Sequence, residues 1–299
     1  MNDQQWLAER FEEHRSRLRA VAYRMLGSLS EADDALQDAW LRVSRANTSD
    51  VENLGAWLTT IVARVALNML RSRNNRRETS LEVHLPDPVV GPADGTDPEH
   101  EALLADSVGL ALLVVLETLS PAERLAFVLH DTFAVPFDQI APILERSPEA
   151  TRQLASRARR RVRSSAPVPD ASLIEQWNVV DAFLAAARDG DFAALVAVLD
   201  PDVVLRADGG MTGLSHHATG AEAVAAQATL WARAGLTVRR ALVNGAAGLV
   251  SELDGEPFSV GAFTIRSGKI VECDFLVDPE RVARLELEVL RDRAGGEVR

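Results

Sequence analysis

The sequence predicts a multidomain protein in which two all-α domains, a helical bundle and a helix-turn-helix, precede one α+β domain. Amphipathic runs with apolar residues at helical spacing fill the chain up to residue 165. Segments rich in Pro, Gly, Asp or Ser interrupt this pattern at residues 79–100 and 164–170. Strand-like runs follow only after residue 200, and helices that precede a strand meander are typical of an α+β domain.

Composition excludes several classes of protein. The 299 residues suffice for two or three domains, and the single cysteine, Cys273, excludes a disulfide framework and a thiolate metal site. No apolar run approaches the roughly 20 residues of a membrane span, and no signal peptide is evident, so we expect a cytoplasmic protein without membrane contact. The net charge is −12, yet arginines cluster at Arg71–Arg77 and Arg152–Arg163. Such a protein should bind DNA weakly without a partner, because phosphate neutralisation dominates affinity.

The first domain begins with two predicted helices. One covers Phe11–Gly27, and the next runs from an N-cap at Ser30 to Val43. The outward face of the second helix is acidic and also carries one leucine; its residues include Asp34, Gln37, Asp38 and Leu41. Taken alone, this face would be interpreted as an ordinary acidic surface in preference to a docking surface.

A third helix is predicted from about Leu54 into the basic run Arg71–Arg77. A polar face that leads into a basic end indicates nucleic-acid contact. The residues expected on this outward face are Thr59, Thr60, Ala63, Arg64, Asn68 and Arg71. Trp57 lies on the apolar stripe of this helix, where a tryptophan is more often core.

The second domain ends in a predicted helix-turn-helix. Helices at Glu101–Leu119 and Pro121–Asp131, the latter N-capped by Ser120, lead into it. Its second helix follows an N-cap at Ser147 and points a basic face outward: Arg152, Gln153, Ser156, Arg159 and Arg160. The face suits a major groove, and six arginines against one glutamate favour that role over a solvated surface helix.

The third domain is predicted to mix helices and strands. The predicted helices are Leu173–Arg188, one from Asp191 to Leu199, one capped by Thr219, and one from Asp278 to about Arg293; the strands are Val203–Ala207, Thr237–Val243, Leu249–Leu253, Phe258–Arg266 and Lys269–Leu276. Asp208 beside His216 or His217 would suit proton transfer. The alternative is stronger, because Asp208-Gly209-Gly210 is a good turn sequence and paired histidines in a loop are usually solvated.

Three segments, in this order, resemble extracytoplasmic-function (ECF) sigma factors. AYRMLGSLSEADDALQDAWLRV (Ala22–Val43) is similar to their segment that binds core polymerase. NLGAWLTTIVARVALNMLRSRNNRRE (Asn53–Glu78) is similar to the segment that melts the promoter and reads the minus-ten element. LSPAERLAFVLHDTFAVPFDQIAPILERSPEATRQLASRARRRV (Leu119–Val162) is similar to the domain that reads the minus-thirty-five element.

The remainder resembles the SnoaL-like, nuclear-transport-factor-two-like fold, a cone with a pocket, and this fusion is typical of the ECF41 or SigJ-like group. The resemblance divides the chain into sigma region 2 (1–78), a linker (79–100), sigma region 4 (101–165) and a SnoaL-like regulatory domain (166–299). Residues that match the group's interdomain motifs are Leu85, Pro86, Asp87, Pro88, Asp208, Gly209, Gly210, Asp278 and Pro279. His84 and Asp87 stand where the group has tryptophan and glutamate, and Met211 breaks the second motif.

The resemblance also implies partners and site residues. The partners are bacterial core RNA polymerase, through its β′ clamp helices and β flap, and promoter DNA; it implies neither a cofactor nor a metal. The residues placed on the β′ clamp helices are Asp34, Gln37, Asp38 and Leu41. Those placed at the minus-ten element are Asn53, Trp57, Arg64, Asn68 and Arg71, with loop Arg45–Asn53 receiving a flipped base. The resemblance would make Trp57 a wedge that helps to open DNA, against its alternative role as a core side chain. Those placed at the minus-thirty-five element are Arg152, Gln153, Ser156, Arg159 and Arg160.

Three functions are therefore compared. A sigma factor, monomeric when free, would bind core polymerase, and its tethered C-terminal domain would modulate it in place of a separate anti-sigma factor. A one-component regulator would bind an operator tightly without polymerase, with an unknown small ligand in the C-terminal pocket. An enzyme with a DNA-binding appendage would turn over a substrate without its first 170 residues. Only the first needs the acidic second helix and the third helix, so it is favoured, and the chain is expected not to be an enzyme.

Overall fold

The computed structural model describes residues 3–46, 51–76, 84–93, 109–165, 172–210, 215–285 and 287. The chain divides into two compact units, which are described separately. One comprises Met1–Ser80 and Val115–Ser165, and the other comprises Leu81–Val114 and Ala166–Arg299. The helices predicted over 101–108 and from 288 to 293 lie outside the described residues.

The first unit is helical throughout its described part. Its elements are α1 (Asp3–Leu26), α2 (Leu29–Val43), α3 (Leu54–Arg76), α4 (Leu110–Glu117, which crosses the division between the units), α5 (Pro121–Phe127), a π-helix (Val128–Thr132), α6 (Phe137–Leu144) and α7 (Pro148–Ser165). Helices α1, α2 and α3 pack on one another around buried Leu18, Met25 and Leu58. This is the helical bundle that the sequence predicted.

The start of α2 differs from the prediction. Ser28, and not Ser30, is the N-cap: its backbone is extended and its hydroxyl accepts a hydrogen bond from Glu31 N at 3.4 Å. Gly27, at φ 72°, ends α1 in the left-handed region, which leaves Ser28 free to begin the next helix at once. Ser30 therefore lies inside the first turn of α2.

Helix α3 buries a wider face than a single apolar stripe. Thr59 and Ala63, expected to point outward, are buried, because α3 packs against α1 and α2 and also contacts α5 and α6. The Thr59 hydroxyl donates to the Gly55 carbonyl at 2.7 Å, which satisfies its polar group within the helix.

The helix-turn-helix consists of α6 and α7, as predicted. Glu145 ends α6 at φ 55°, and Ser147 Oγ accepts a hydrogen bond from Ala150 N at 3.2 Å at the start of α7. Leu154, Ala155 and Ala158 bury one side of α7, and arginines cover most of the other. The turn thus fixes which face of α7 remains exposed.

The second unit is an α+β domain. Its elements are β1 (Val90–Pro92), α8 (Leu173–Asp189), α9 (Phe192–Val198), β2 (Leu199–Asp208), β3 (His216–Thr219), α10 (Ala221–Ala232), β4 (Thr237–Val243), β5 (Ala246–Leu253), β6 (Glu256–Arg266), β7 (Lys269–Leu276) and α11 (Pro279–Val282). The strands form one sheet in the order β1-β4-β5-β6-β7-β2-β3, antiparallel except for the β2–β7 pair. Helices α8, α9 and α10 pack with one face of the sheet around Val203, Phe263 and Phe275.

Several boundaries of this unit correct the prediction. His216–Thr219 is a strand that pairs with β2, and Gly220, not Thr219, is the N-cap of α10. Thr219 cannot cap the helix because it is still paired with Val204 in the sheet. The predicted N-cap of the last helix, Asp278, is confirmed by bonds from Glu280 N and Arg281 N.

The linker contributes an edge strand. Val90–Pro92 pairs with β4 at the end of the sheet, where a proline without a donor N–H is tolerated. Among the described helices, none combines the length and apolarity that a bilayer-spanning segment needs.

Candidate functional site

The acidic face of α2 is exposed as a continuous surface. Asp34, Gln37, Asp38 and Leu41 follow helical spacing on one side, and all four are exposed. The neighbouring Asp33 is not available in the same way, since Arg19 Nε donates to its carboxylate at 2.8 Å. The surface is therefore negative with one apolar residue, Leu41, whose exposed fraction is 46%.

The polar face of α3 carries three exposed residues at i, i+4 and i+7: Arg64, Asn68 and Arg71. Asn53 caps the helix, and its Oδ1 accepts a hydrogen bond from Ala56 N at 3.0 Å. Trp57, one turn into the helix, is half-buried. Residues 47–50 of the predicted base-receiving loop lie outside the described residues.

Helix α7 exposes Arg152, Gln153, Ser156 and Arg160. Arg159 is partly covered, because its Nε donates to Asp131 Oδ1 at 2.6 Å. The Arg152 guanidinium lies over the Phe137 ring, 5.4 Å from its centroid. The predicted arginine face is thus present, and two of its members are held by contacts with the preceding segments.

A buried ion network joins the α1–α3 bundle to the helices that precede the helix-turn-helix. Arg73 of α3 donates to Glu31 Oε2 at 3.1 Å and to Glu117 Oε2 at 3.2 Å. Glu117 also accepts from Arg124 Nη1 at 2.8 Å, and Arg124 Nε donates to the Arg24 carbonyl at 3.0 Å. One carboxylate, Glu117, therefore links arginines from both parts of the unit.

Arg124 is the most deeply placed charge of this network. Only 2% of its side chain is exposed, and burial lowers its pKa despite the nearby Glu117 carboxylate. Among the described residues, its Nη2 atom has no hydrogen-bond partner. A buried cation that depends on one carboxylate makes the packing sensitive to loss of Glu117.

In the second unit, Arg281 fastens the linker to the α+β domain. Arg281 Nη2 donates to the Leu85 carbonyl and to Asp87 Oδ1, each at 2.6 Å. Its Nη1 donates to Asp208 Oδ2 at 2.7 Å, and the same Asp208 oxygen accepts from Leu85 N at 2.8 Å. We call Arg281 with Leu85, Asp87 and Asp208 the linker clasp.

The strand-end residues predicted to act together meet at this clasp. Val277 N and Asp278 N both donate to the Asp208 carbonyl, at 2.7 and 3.0 Å. Gly210 has φ 54°, and a Cβ there would lie 1.9 Å from Asp278 Oδ2, so only glycine fits. Pro86 and Pro88 of the linker are buried. Gly209 N donates to Ser215 Oγ at 3.2 Å, and Pro279 is the first residue of α11.

The charges in the clasp stabilise one another. Burial acts to lower the pKa of Arg281, but the Asp87 and Asp208 carboxylates outweigh it and raise that pKa. Only 3% of the Asp208 side chain is exposed, against 18% for Arg281. Asp208 is therefore engaged in holding the linker and is not open to a substrate.

A second cluster lies farther along β2 and β7. Arg206 Nε donates to Asp274 Oδ1 at 2.6 Å, and Arg206 Nη2 lies 3.0 Å from Glu272 Oε2 without hydrogen-bond geometry. Burial raises the pKa of Asp274 and that of Glu272. His216 and His217 are exposed on β3, and Trp231 packs edge-on against Phe275 of the core. The described residues hold no cluster of His, Cys, Asp and Glu suited to a metal ion.

Comparison with known proteins places these surfaces in a family. Residues 10–76 match the model of Sigma-70 region 2, and residues 109–162 match that of Sigma-70 region 4. A probable ECF RNA polymerase sigma factor, SigI of Mycobacterium tuberculosis, is 32% identical over 289 residues, which cover 92% of this chain and 94% of SigI. The chain belongs to the ECF RNA polymerase sigma factors.

A second relative supports the whole architecture of this sigma factor. SigJ of Mycobacterium tuberculosis is 44% identical over 202 residues, which cover 66% of this chain and 64% of SigJ. The crystal structure of SigJ matches with a TM-score of 0.75 and 34% identity, over 94% of this chain and 99% of that one. The predicted order, two all-α sigma regions followed by an α+β domain, is confirmed.

Sequence reasoning missed three residues of this sigma factor that the structure singles out. Arg281 follows the matched Asp278-Pro279 pair by one helical turn, and its charge beside that motif was a usable signal. Asp131 and Glu117 gave no such signal. Asp131 contacts Arg159 and Glu117 contacts Arg73, and both arginines lie too far along the chain for a local helix pattern to predict the contact.

Proposed function

We propose that this chain directs core RNA polymerase to specific promoters through three surfaces. The acidic α2 face would bind the β′ clamp helices, and region 4 would reach the β flap. The α3 residues Arg64, Asn68 and Arg71, with Asn53 and Trp57, would contact the minus-ten element. The α7 residues Arg152, Gln153, Ser156, Arg159 and Arg160 would contact the minus-thirty-five element. The exposed acidic α2, placed beside an arginine-bearing α3, carries the proposal.

The charge distribution supports dependence on polymerase. Exposed Asp34 and Asp38 would repel DNA phosphates if α2 lay near the duplex, whereas a basic protein partner would complement them. The two arginine faces, on α3 and α7, are short, and each neutralises few phosphates. Binding to polymerase would let both act on one promoter at once.

We also propose that regions 2 and 4 separate during initiation. The ion network holds Arg73 of region 2 within 3.2 Å of Glu117, the last residue of α4 in region 4. The two promoter elements lie about 25 base pairs apart, which is on the order of 85 Å along B-DNA at 3.4 Å per base pair. The closed network would keep the two regions packed together, so its opening would be part of activation.

The α+β domain would modulate this step through the linker clasp. The clasp captures Leu85 and Asp87, which belong to the segment between the two sigma regions. The domain would thereby regulate initiation without a separate anti-sigma factor. An enzymatic role finds no support in the geometry, since Asp208 is engaged by Arg281 and the two histidines are exposed on β3. A small ligand of this domain and a monomeric free state stay predictions.

The first test is binding to core polymerase. The full chain should co-migrate with purified core enzyme and support run-off transcription, whereas a one-component regulator would hold its operator without polymerase. Asp34→Asn combined with Asp38→Asn should weaken core binding about tenfold or more, since two charge pairs are lost. Asp189→Asn combined with Glu222→Gln removes the same charge from exposed sites of the α+β domain and should leave binding unchanged. Equal binding by both variants would contradict the proposed docking surface.

A further inference from the structure

An acidic residue outside the helix-turn-helix holds one arginine of its recognition face. Asp131 lies in the π-helix that precedes α6, 28 residues before Arg159 of α7. Its Oδ1 accepts a hydrogen bond from Arg159 Nε at 2.6 Å. The two side chains are 24% and 32% exposed, so the pair lies at the protein surface and not in the core.

The π-helix is what brings Asp131 to this position. Phe133 N donates to the Val128 carbonyl at 3.3 Å, an i to i+5 bond that adds a residue to the last turn. The chain then reverses through Ala134, whose φ is 54°, into α6. A widened turn of this kind is often found at functional sites.

The contact leaves the reading end of Arg159 available. Asp131 engages Nε through one carboxylate oxygen, and no other hydrogen bond of the described residues involves the Arg159 Nη atoms. The pair of Nη donors can still meet the O6 and N7 acceptors of a guanine in the major groove. The bond to Nε limits rotation of the guanidinium plane. A guanidinium with a fixed plane can donate to two acceptors on one base but is poorly oriented for acceptors in other directions.

We propose that Asp131 is a specificity-determining positioning residue, which orients Arg159 toward one base pair of the minus-thirty-five element. The proposal rests on the proposed DNA-reading function of α7. Arg152, seven residues earlier, is likewise oriented by the Phe137 ring. Seven residues of α-helix span about 10.5 Å. This separation along α7 would bring the two arginines to different base pairs.

Removal of Asp131 should change affinity for DNA and discrimination between base pairs in opposite directions. A carboxylate near the DNA surface repels phosphates, so its removal should raise affinity for any sequence. Its removal also frees Arg159 to rotate and to contact phosphates or several bases, so preference for the cognate base pair should fall. A residue that only stabilised the fold would change neither quantity in this pattern, and a surface ion pair contributes little to stability.

The test uses holoenzyme, formed from the full chain and core polymerase, on promoters randomised across the minus-thirty-five element. Asp131→Ala should reduce the preference at one base pair on the order of tenfold and leave the other positions unchanged. Arg159→Ala should lose preference at the same base pair, and the double variant should lose no more than Arg159→Ala alone. Asp131→Asn keeps an acceptor oxygen without the charge and should retain part of the preference. Asp138→Ala, which removes an exposed acid of α6 nearby, should leave all preferences unchanged.

Two results would overturn the assignment. One is loss of preference spread evenly over the element in Asp131→Ala. The other is a rise in activity on all promoters with every base preference unchanged, which would show that Asp131 merely restrains Arg159 from DNA. If the unmodified holoenzyme shows no preference anywhere in this element, the proposed reading function of α7 fails instead. The selection on unmodified protein therefore separates the two failures.

Discussion

Replacement of Arg281 by methionine tests the linker clasp most directly. Methionine keeps an unbranched side chain but removes the charge and all the donors, so four hydrogen bonds are lost, to Leu85, Asp87 and Asp208. Breaking a buried ion pair by removing one partner costs about 3–5 kcal/mol. Arg281 is 18% exposed and His84 Nδ1 lies 3.6 Å from Asp208, so water and His84 would compensate in part. We expect a cost of about 2–4 kcal/mol, or roughly a 30- to 1,000-fold rise in the equilibrium for linker release.

Hydrogen exchange of the linker amides measures this release. Leu85 N is bonded to Asp208 and Val89 N to Asn244, at 2.8 and 3.2 Å, so both should be protected in the unaltered protein. In Arg281→Met their exchange should accelerate toward the rate of an open segment. Arg284→Met is the matched control, because Arg284 is 67% exposed and its ion pair with Glu280, at 3.9 Å, is long. Unchanged protection of Leu85 in Arg281→Met would refute the claim that the clasp holds the linker, and unchanged run-off transcription would refute its regulatory role.

Two further predictions concern the other buried charges. Glu117→Gln leaves the Arg124 guanidinium buried without its carboxylate partner, so regions 2 and 4 should separate. The distance between spin labels at Arg42 and Arg157 should then lengthen. The control Glu145→Gln, at an exposed site, should not change this distance. Burial raises the pKa of Glu272 and of Asp274, so the folded protein holds protons that the unfolded chain releases, and the free energy of unfolding should fall as pH rises above about 4. Glu272→Gln should weaken this decline and stabilise the full chain at neutral pH, as denaturant titrations at several pH values would show; an unchanged pH profile would contradict the assigned cause.

Local sequence signals predicted most elements of this sigma factor. Ser120, Asp191 and Asp278 were identified as N-caps from residue type alone, and each accepts the expected backbone bond. Strands β4 and β7 have the predicted bounds, because both are bounded by clear turn residues. These features depend on a few neighbouring residues, which is the range over which propensity and capping act.

The errors arose where contacts between distant residues override local preference. Thr219 has the composition of an N-cap, but pairing with Val204 of β2 keeps it in a strand. Thr59 is polar and yet buried, because α3 packs on more than one side. Two partners of Arg281, Leu85 and Asp87, lie nearly 200 residues earlier in the chain and could not be deduced from the spacing of charges. The exposed faces of single helices were therefore predictable, whereas the clasp and the ion network required the fold.

Capture of the linker also shortens the free chain between the two sigma regions. Residues 84–93 are held against the α+β domain by the clasp and by pairing of β1 with β4. An extended chain spans about 3.3–3.6 Å per residue, so holding these ten residues withdraws up to about 35 Å of tether between the two promoter-reading modules. That is on the order of ten base pairs of B-DNA at 3.4 Å each. Clasp opening would thus lengthen the free linker. The range of spacer lengths between the two promoter elements that this sigma factor tolerates should then widen.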